Sequence, residues 1–143
     1  MINDLKRFLD AQEDEDDFEI ALAEIRNGTK QSHWMWYIFP QIKGLGFSSM
    51  ANFYAIKTKA EAENYLAHLV LGKRLIEISN ALLEVEGKTA HQIFGNPDDM
   101  KLKSSMTLFG SLENTNPIFQ SVLDKYFNGA KDQRTLELLD VID

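Results

Sequence analysis

Leu75-Ile76-Glu77-Ile78-Ser79-Asn80-Ala81-Leu82-Leu83-Glu84-Val85-Glu86-Gly87 decides the fold class of this chain. Leu75, Ile78 and Leu82 recur at steps of three and four, with Leu83 beside them, which lays apolar side chains along one face of an α-helix; Gly87 ends the run. The same period extends outward. Upstream, Thr58 with Glu61 three residues later forms a capping-box pattern that opens a helix through Tyr65 and Leu66, and Gly72 marks the joint between the two. Leu5, Phe8 and Leu9 mark the inner stripe of a short first helix. Phe18, Ala21, Leu22 and Ile25 mark that of a second, closed by Asn27-Gly28 in the left-handed manner. Downstream, Thr89 to Phe94 reads as a short helix or turn closed by Gly95. Asn96-Pro97 and Asn116-Pro117 each place a capping side chain before a proline at the first helical position. Helices are therefore expected near 97–109 and 117–127, the second ending at Asn128-Gly129, and Asp132 caps a terminal helix through Leu136, Leu138 and Leu139.

Alternating strand patterns are scarce, and no repeat, low-complexity tract or linker divides the chain. The sequence predicts an all-α, single compact domain over residues 1–143, with about six to eight helices and an irregular, aromatic-rich segment. A chain of 143 residues buries roughly two thirds of its unfolded surface without staples. It contains no cysteine, which excludes thiol nucleophiles, thiolate zinc sites and iron–sulfur clusters. The opening Met1-Ile2-Asn3-Asp4-Leu5-Lys6-Arg7 lacks the apolar core of a secretory leader, and no run approaches the roughly twenty apolar residues that span a bilayer. A soluble, cytoplasmic protein with no membrane partner is expected.

The formal charge is -7 and the isoelectric point about 4.9, which opposes attraction to a nucleic-acid duplex or an anionic membrane. Any anion must be recognised locally. From Gly28 to Ala60 the chain carries Lys30, Lys43, Lys57 and Lys59 and no Asp or Glu. The window holds both tryptophans and seven of the fifteen aromatic residues: Trp34, Trp36, Tyr37, Phe39, Phe47, Phe53 and Tyr54. Lysines among rings, with acids excluded, suit an anionic, partly planar small molecule. Trp34 and Trp36, two residues apart, cannot share a helical face, so one is expected in the core and the other nearer a cleft. The acidic run Glu13 to Asp17 reads as a solvated turn facing the positive end of the next helix.

Met100 to Leu112 is a second acid-free stretch. On a helix, Lys101 shares a face with Ser104 and Ser105, pairing a cation with two hydroxyl donors, and Thr107 lies a turn further on. Lys43-Gly44-Leu45-Gly46-Phe47-Ser48-Ser49 resembles a loop running into a helix at Ser48, without the glycine spacing of a phosphate-binding fingerprint. His33, His68 and His91 show no metal-ligand spacing, so neither a metal nor another cofactor is expected. His33, between Lys30 and Trp34, is the candidate general base. Asp98 and Asp99 border the second stretch and are the nearest carboxylates, with a plainer role at the helix dipole; neither serine sits in a nucleophile elbow.

The runs Lys30-Gln31-Ser32-His33-Trp34-Met35-Trp36-Tyr37-Ile38-Phe39-Pro40-Gln41, Gly44-Leu45-Gly46, Tyr54-Ala55-Ile56, Leu71-Gly72-Lys73-Arg74-Leu75 and Asp99-Met100-Lys101-Leu102-Lys103-Ser104-Ser105-Met106-Thr107-Leu108-Phe109 carry a resemblance over nearly the whole chain. It resembles the bacterial family catalogued as domain of unknown function 1810, sometimes labelled calpastatin-like, a label that no residue of this sequence supports. The resemblance implies a small all-helical domain and no established activity. One departure is Leu69, where the family's usual proline follows the histidine of the His68 motif. In layout the chain is also distantly similar to helical proteins thought to act on ADP-ribose-like N-glycosides.

Two functions follow as expectations. In the first, Lys30, His33, Trp34 or Trp36, and Gln41 meet Lys101, Ser104, Ser105 and Thr107 in one pocket for a nucleotide- or ADP-ribose-like anion, with His33 or Asp99 handling a proton if an N-glycosidic or related bond is hydrolysed. In the second, the acid-free surface is a non-catalytic module that docks an acidic protein partner. A third reading makes both acid-free stretches simply the buried centre of the domain, against which their lysines count.

Overall fold

The computed structural model describes residues 5–142. Met1 to Asp4, part of the stretch read as lacking a leader, and Asp143 lie outside the described residues. Regular structure in the described chain is almost all helical: α1 Lys6–Glu13, α2 Asp17–Arg26, α3 Met35–Ile38, α4 Ser49–Tyr54, α5 Lys59–Ala67, α6 Leu71–Glu84, α7 Ala90–Phe94, α8 Asp98–Gly110, α9 Ile118–Phe127 and α10 Gln133–Val141, with a 3-10 turn at Asp14–Asp16 between α1 and α2. α3 and α7 are single turns. Among the described residues, β structure is limited to a parallel bridge between Ile42 and Ile56, with Lys43 N donating to Ile56 O and Ile56 N to Gln41 O, both at 2.8 Å.

Short-range capping sets most boundaries. Ser48 accepts from Ala51 N, Thr58 from Glu61 N and Asp132 from Thr135 N, each stabilising its helix by about 1 kcal/mol. The expected reciprocal box at Thr58 does not close. Glu61 instead accepts from Lys57 N at 2.8 Å and from Arg7 at 3.0 Å, because a buried guanidinium competes for its carboxylate. A complete box forms at Thr89 and Gln92. Asn96 gives no cap; Pro97 takes the cap position of α8, and the Asn96 amide turns toward Asp99 at 3.4 Å. Asn116 accepts from Ile118 N at 2.8 Å.

α8 is central. Leu102, Met106, Leu108 and Phe109 have no solvent exposure, so apolar residues occupy several of its faces, as a buried helix requires. It packs chiefly on α9 through Phe119, and the rings of Tyr65, Phe109 and Phe119 follow one another at 5.4 and 6.0 Å. α6 buries Leu71, Leu75, Ile78 and Leu82 against α2, α5 and α9. Lys125 of α9 donates to Leu82 O and Leu83 O at 3.3 and 2.7 Å, satisfying carbonyls that the end of α6 leaves open.

The joint before α6 is sharp. His68 Nδ1 accepts from Val70 N and Leu71 N at 3.1 and 3.2 Å, so the turn is held despite Leu69, which is exposed. A Cβ on Gly72 would lie 1.9 Å from Leu66 O.

Candidate functional site

The irregular segment between α2 and α4 is pinned from α2. Glu24 Oε1 accepts from Gln31 N, Ser32 N and Trp34 Nε1 at 2.8, 3.0 and 2.9 Å, and its Oε2 from Ser32 Oγ at 2.6 Å. Burial raises the pKa of this carboxyl, but the four donors together outweigh burial and hold it below the ordinary value. Trp34 is thereby buried completely, with its ring 6.2 Å from Phe39 and 6.3 Å from Phe94. Trp36 points the other way, half-buried, as two residues on one short turn must.

A cleft of ≈ 440 Å³ opens between the 36–51 segment and the first turns of α8. Trp36, Gln41, Leu45, Phe47 and Ser48 form one side, and Pro97, Met100, Lys101 and Ser104 the other. Lys101 Nζ stands 5.1 Å from the Trp36 ring centroid and 3.4 Å from Asp98 Oδ1. The second oxygen of Asp98 lies 2.9 Å from Lys30 Nζ, which also sits 5.0 Å from the Trp34 ring and donates to Ser32 O at 2.5 Å. Ser104 Oγ donates to Met100 O at 3.2 Å, and Ser104 lines the cleft.

The remaining sequence candidates stand elsewhere. His33 is exposed and does not line the cleft; its carbonyl accepts from Tyr37 Oη at 3.3 Å. Asp99 accepts from Met100 N at 2.8 Å and lies 3.4 Å from His91 Nδ1. Ser105 is fully buried, and its hydroxyl has no hydrogen-bond partner. Thr107 donates to Lys103 O at 2.8 Å and accepts from Asp132 N at 2.9 Å, tying the start of α10 to α8. Ser104 and Ser105 diverge because successive residues of a helix point about 100° apart, and on α8 one direction is cleft and the other core.

A larger open cleft of ≈ 630 Å³ lies beside α1, walled by Lys6, Arg7, Asp10, Glu13, Asp14, Phe53 and Tyr54. Its three carboxylates oppose an anion. Among the described residues no three His, Asp or Glu side chains converge as metal ligands, and no helix is long and apolar enough to cross a membrane. Sequence reasoning did not name Phe47 or Met100 as lining residues, although Phe47 follows Gly46 in the loop it singled out. Nor did it anticipate Glu24 or Arg7, whose partners lie in remote or irregular segments.

These observations define a small all-helical protein whose central helix and acid-free segment meet at a lysine-bearing cleft. The chain belongs to the family described as protein of unknown function (DUF1810), whose model matches residues 2–139. It is similar to a solved structure, the conserved hypothetical protein Rv1873 from Mycobacterium tuberculosis at 1.38 Å, with 45% identity, 96% of each chain covered and a TM-score of 0.92. No match was found among the curated proteins.

Proposed function

We propose that the cleft between the 36–51 segment and α8 binds a small, partly planar anion. The observation that carries this reading is the setting of Lys101: its ammonium is steered by Asp98 and by the Trp36 ring into a concavity that also holds the Gln41 amide and the Ser104 hydroxyl. An ammonium oriented by a ring and a carboxylate loses little freedom when it meets an anion. Gln41 makes no side-chain hydrogen bond among the described residues, so its amide is available to a ligand. His33 and Asp99 do not line the cleft, and the proposal is therefore of binding rather than of bond cleavage.

A thermal-shift screen of wild type and Lys101→Ala against nucleotides, ADP-ribose, NAD, sugar phosphates and simple anions tests it. A ligand at about a hundred times its Kd adds roughly 2.7 kcal/mol, which raises Tm by several degrees in a domain of this size. A shift in wild type that is lost in a folded Lys101→Ala supports the site; no shift with any anion removes it. A second reading is favoured by the exposure of Phe47, Met50 and Phe53 on α4 and the loop before it: a face that docks a protein partner. Under that reading small anions give no shift, and Phe47→Ala weakens the protein complex instead.

A further inference from the structure

The geometry points to a narrower ligand class, resting on the reading that this cleft binds a planar anion: we infer that it selects an aromatic ring bearing one negative charge, and that Phe47 is the side chain that stacks the ring. The charge count comes first. Asp98 offers one oxygen to Lys30 at 2.9 Å and the other to Lys101 at 3.4 Å, so two ammonium groups share one carboxylate and a single positive charge is left over. The Lys30 side chain is only 8% exposed, which leaves Lys101 as the group that meets the ligand. A second negative charge on the ligand finds no further cation on the cleft walls and is repelled by Asp98.

The rings supply the second observation. Within the acid-free window Trp34, Tyr37, Phe39, Phe53 and Tyr54 are all in contact with other aromatic rings. Among the described residues Trp36 and Phe47 make no such ring contact, and both line the cleft. The Trp36 ring is engaged by Lys101. Phe47 is 85% exposed, so its face is open to a planar ligand. The division of labour is that Trp36 orients the cation, Lys101 takes the charge and Phe47 takes the ring. An aromatic carboxylate and a cyclic phosphodiester of a nucleoside share this chemistry; nucleoside di- and triphosphates do not.

Isothermal titration calorimetry on the full chain with two matched series tests the inference. One series is nicotinamide, nicotinate and pyridine-2,3-dicarboxylate; the other is adenosine, adenosine 3′,5′-cyclic monophosphate and ADP. The singly charged member of at least one series is expected to bind about tenfold more tightly than its neutral and multiply charged relatives, and the series that responds identifies the anion. Phe47→Ala should weaken that member about tenfold, in the range found for stacking on an aromatic side chain, and Phe47→Tyr should restore it. Asp98→Asn, which keeps an acceptor for Lys30, should shift preference toward the multiply charged member, with its melting curve as the check on folding. If multiply charged ligands bind as tightly in wild type, or Phe47→Ala changes nothing while Lys101→Ala abolishes binding, the inference is overturned and the binding site stands. If no planar anion binds wild type, both fall.

Discussion

Asp98 holds the ammonium of Lys30 at 2.9 Å, at a depth where the lysine side chain is 8% exposed. The contact joins the start of α8 to the chain that leaves α2. A buried ammonium deprived of its counter-charge is costly, and Ser32 O alone does not neutralise it. Asp98→Ala is expected to lower stability by about 2 kcal/mol, since Asp98 is itself partly exposed, roughly 6 to 8 °C in Tm. Lys30→Met should cost less, because Asp98 keeps Lys101. A melting temperature of Asp98→Ala within a degree of wild type would show that the pair does not hold these segments together.

Gly72→Ala tests the approach of α5 to α6. With Leu66 O 1.9 Å from the new Cβ, backbone must move, and the expected loss is about 3 kcal/mol or more. Gly87→Ala, at φ +73° with open space around it, should cost about 1 kcal/mol from backbone conformation alone. Urea denaturation of the two variants side by side is the measurement. Equal midpoints would contradict the steric account.

Arg7 of α1 reaches Phe53 O, Ala55 O and Glu61 Oε2 at 2.8, 2.9 and 3.0 Å, and both ends of its ion pair are nearly inaccessible. Arg7→Met strands the Glu61 charge and two carbonyls together. A loss of about 3–5 kcal/mol is expected, read as a fall in the denaturation midpoint. Glu61→Gln should be milder, since a glutamine still accepts from Lys57 N. The reverse order would mean that the carboxylate, not the guanidinium, organises this corner.

Glu24 makes the prediction that depends on pH. Its folded pKa lies below the ordinary 4.5, so its bonds contribute stability that is complete above that value and is lost as pH falls through the lower folded value. The Tm gap between wild type and Glu24→Gln should therefore be steady near neutrality and shrink as the pH drops below about 4.5. Thermal melts of both proteins across that range decide it; a gap that stays constant or widens in acid would refute the role given to the carboxylate.

The helices were legible because their causes are local. The Leu75, Ile78 and Leu82 stripe, the caps at Ser48, Thr58 and Asp132, and the left-handed exits at Gly28 and Asn128 all act within about one turn of the chain. The cleft was legible in part. Trp36, Gln41, Lys101 and Ser104 line it together, and the two acid-free stretches that carry them are visible in composition. Ser105 and Thr107 carry the same residue chemistry as Ser104, yet one is enclosed in the core and the other anchors α10. Chemistry alone does not tell the faces of a helix that is buried on several sides.

The sequence by itself determined the all-helical class, most helix boundaries and the family, since periodicity and capping depend on neighbours a few residues away. Only the tertiary structure decided which lysine is neutralised and which meets the cleft. Asp98 lies three residues before Lys101, one turn away on α8, but pairs more closely with Lys30, from the far end of the aromatic segment. Burial and ion pairing depend on where remote segments meet, and that is set by packing the whole core at once.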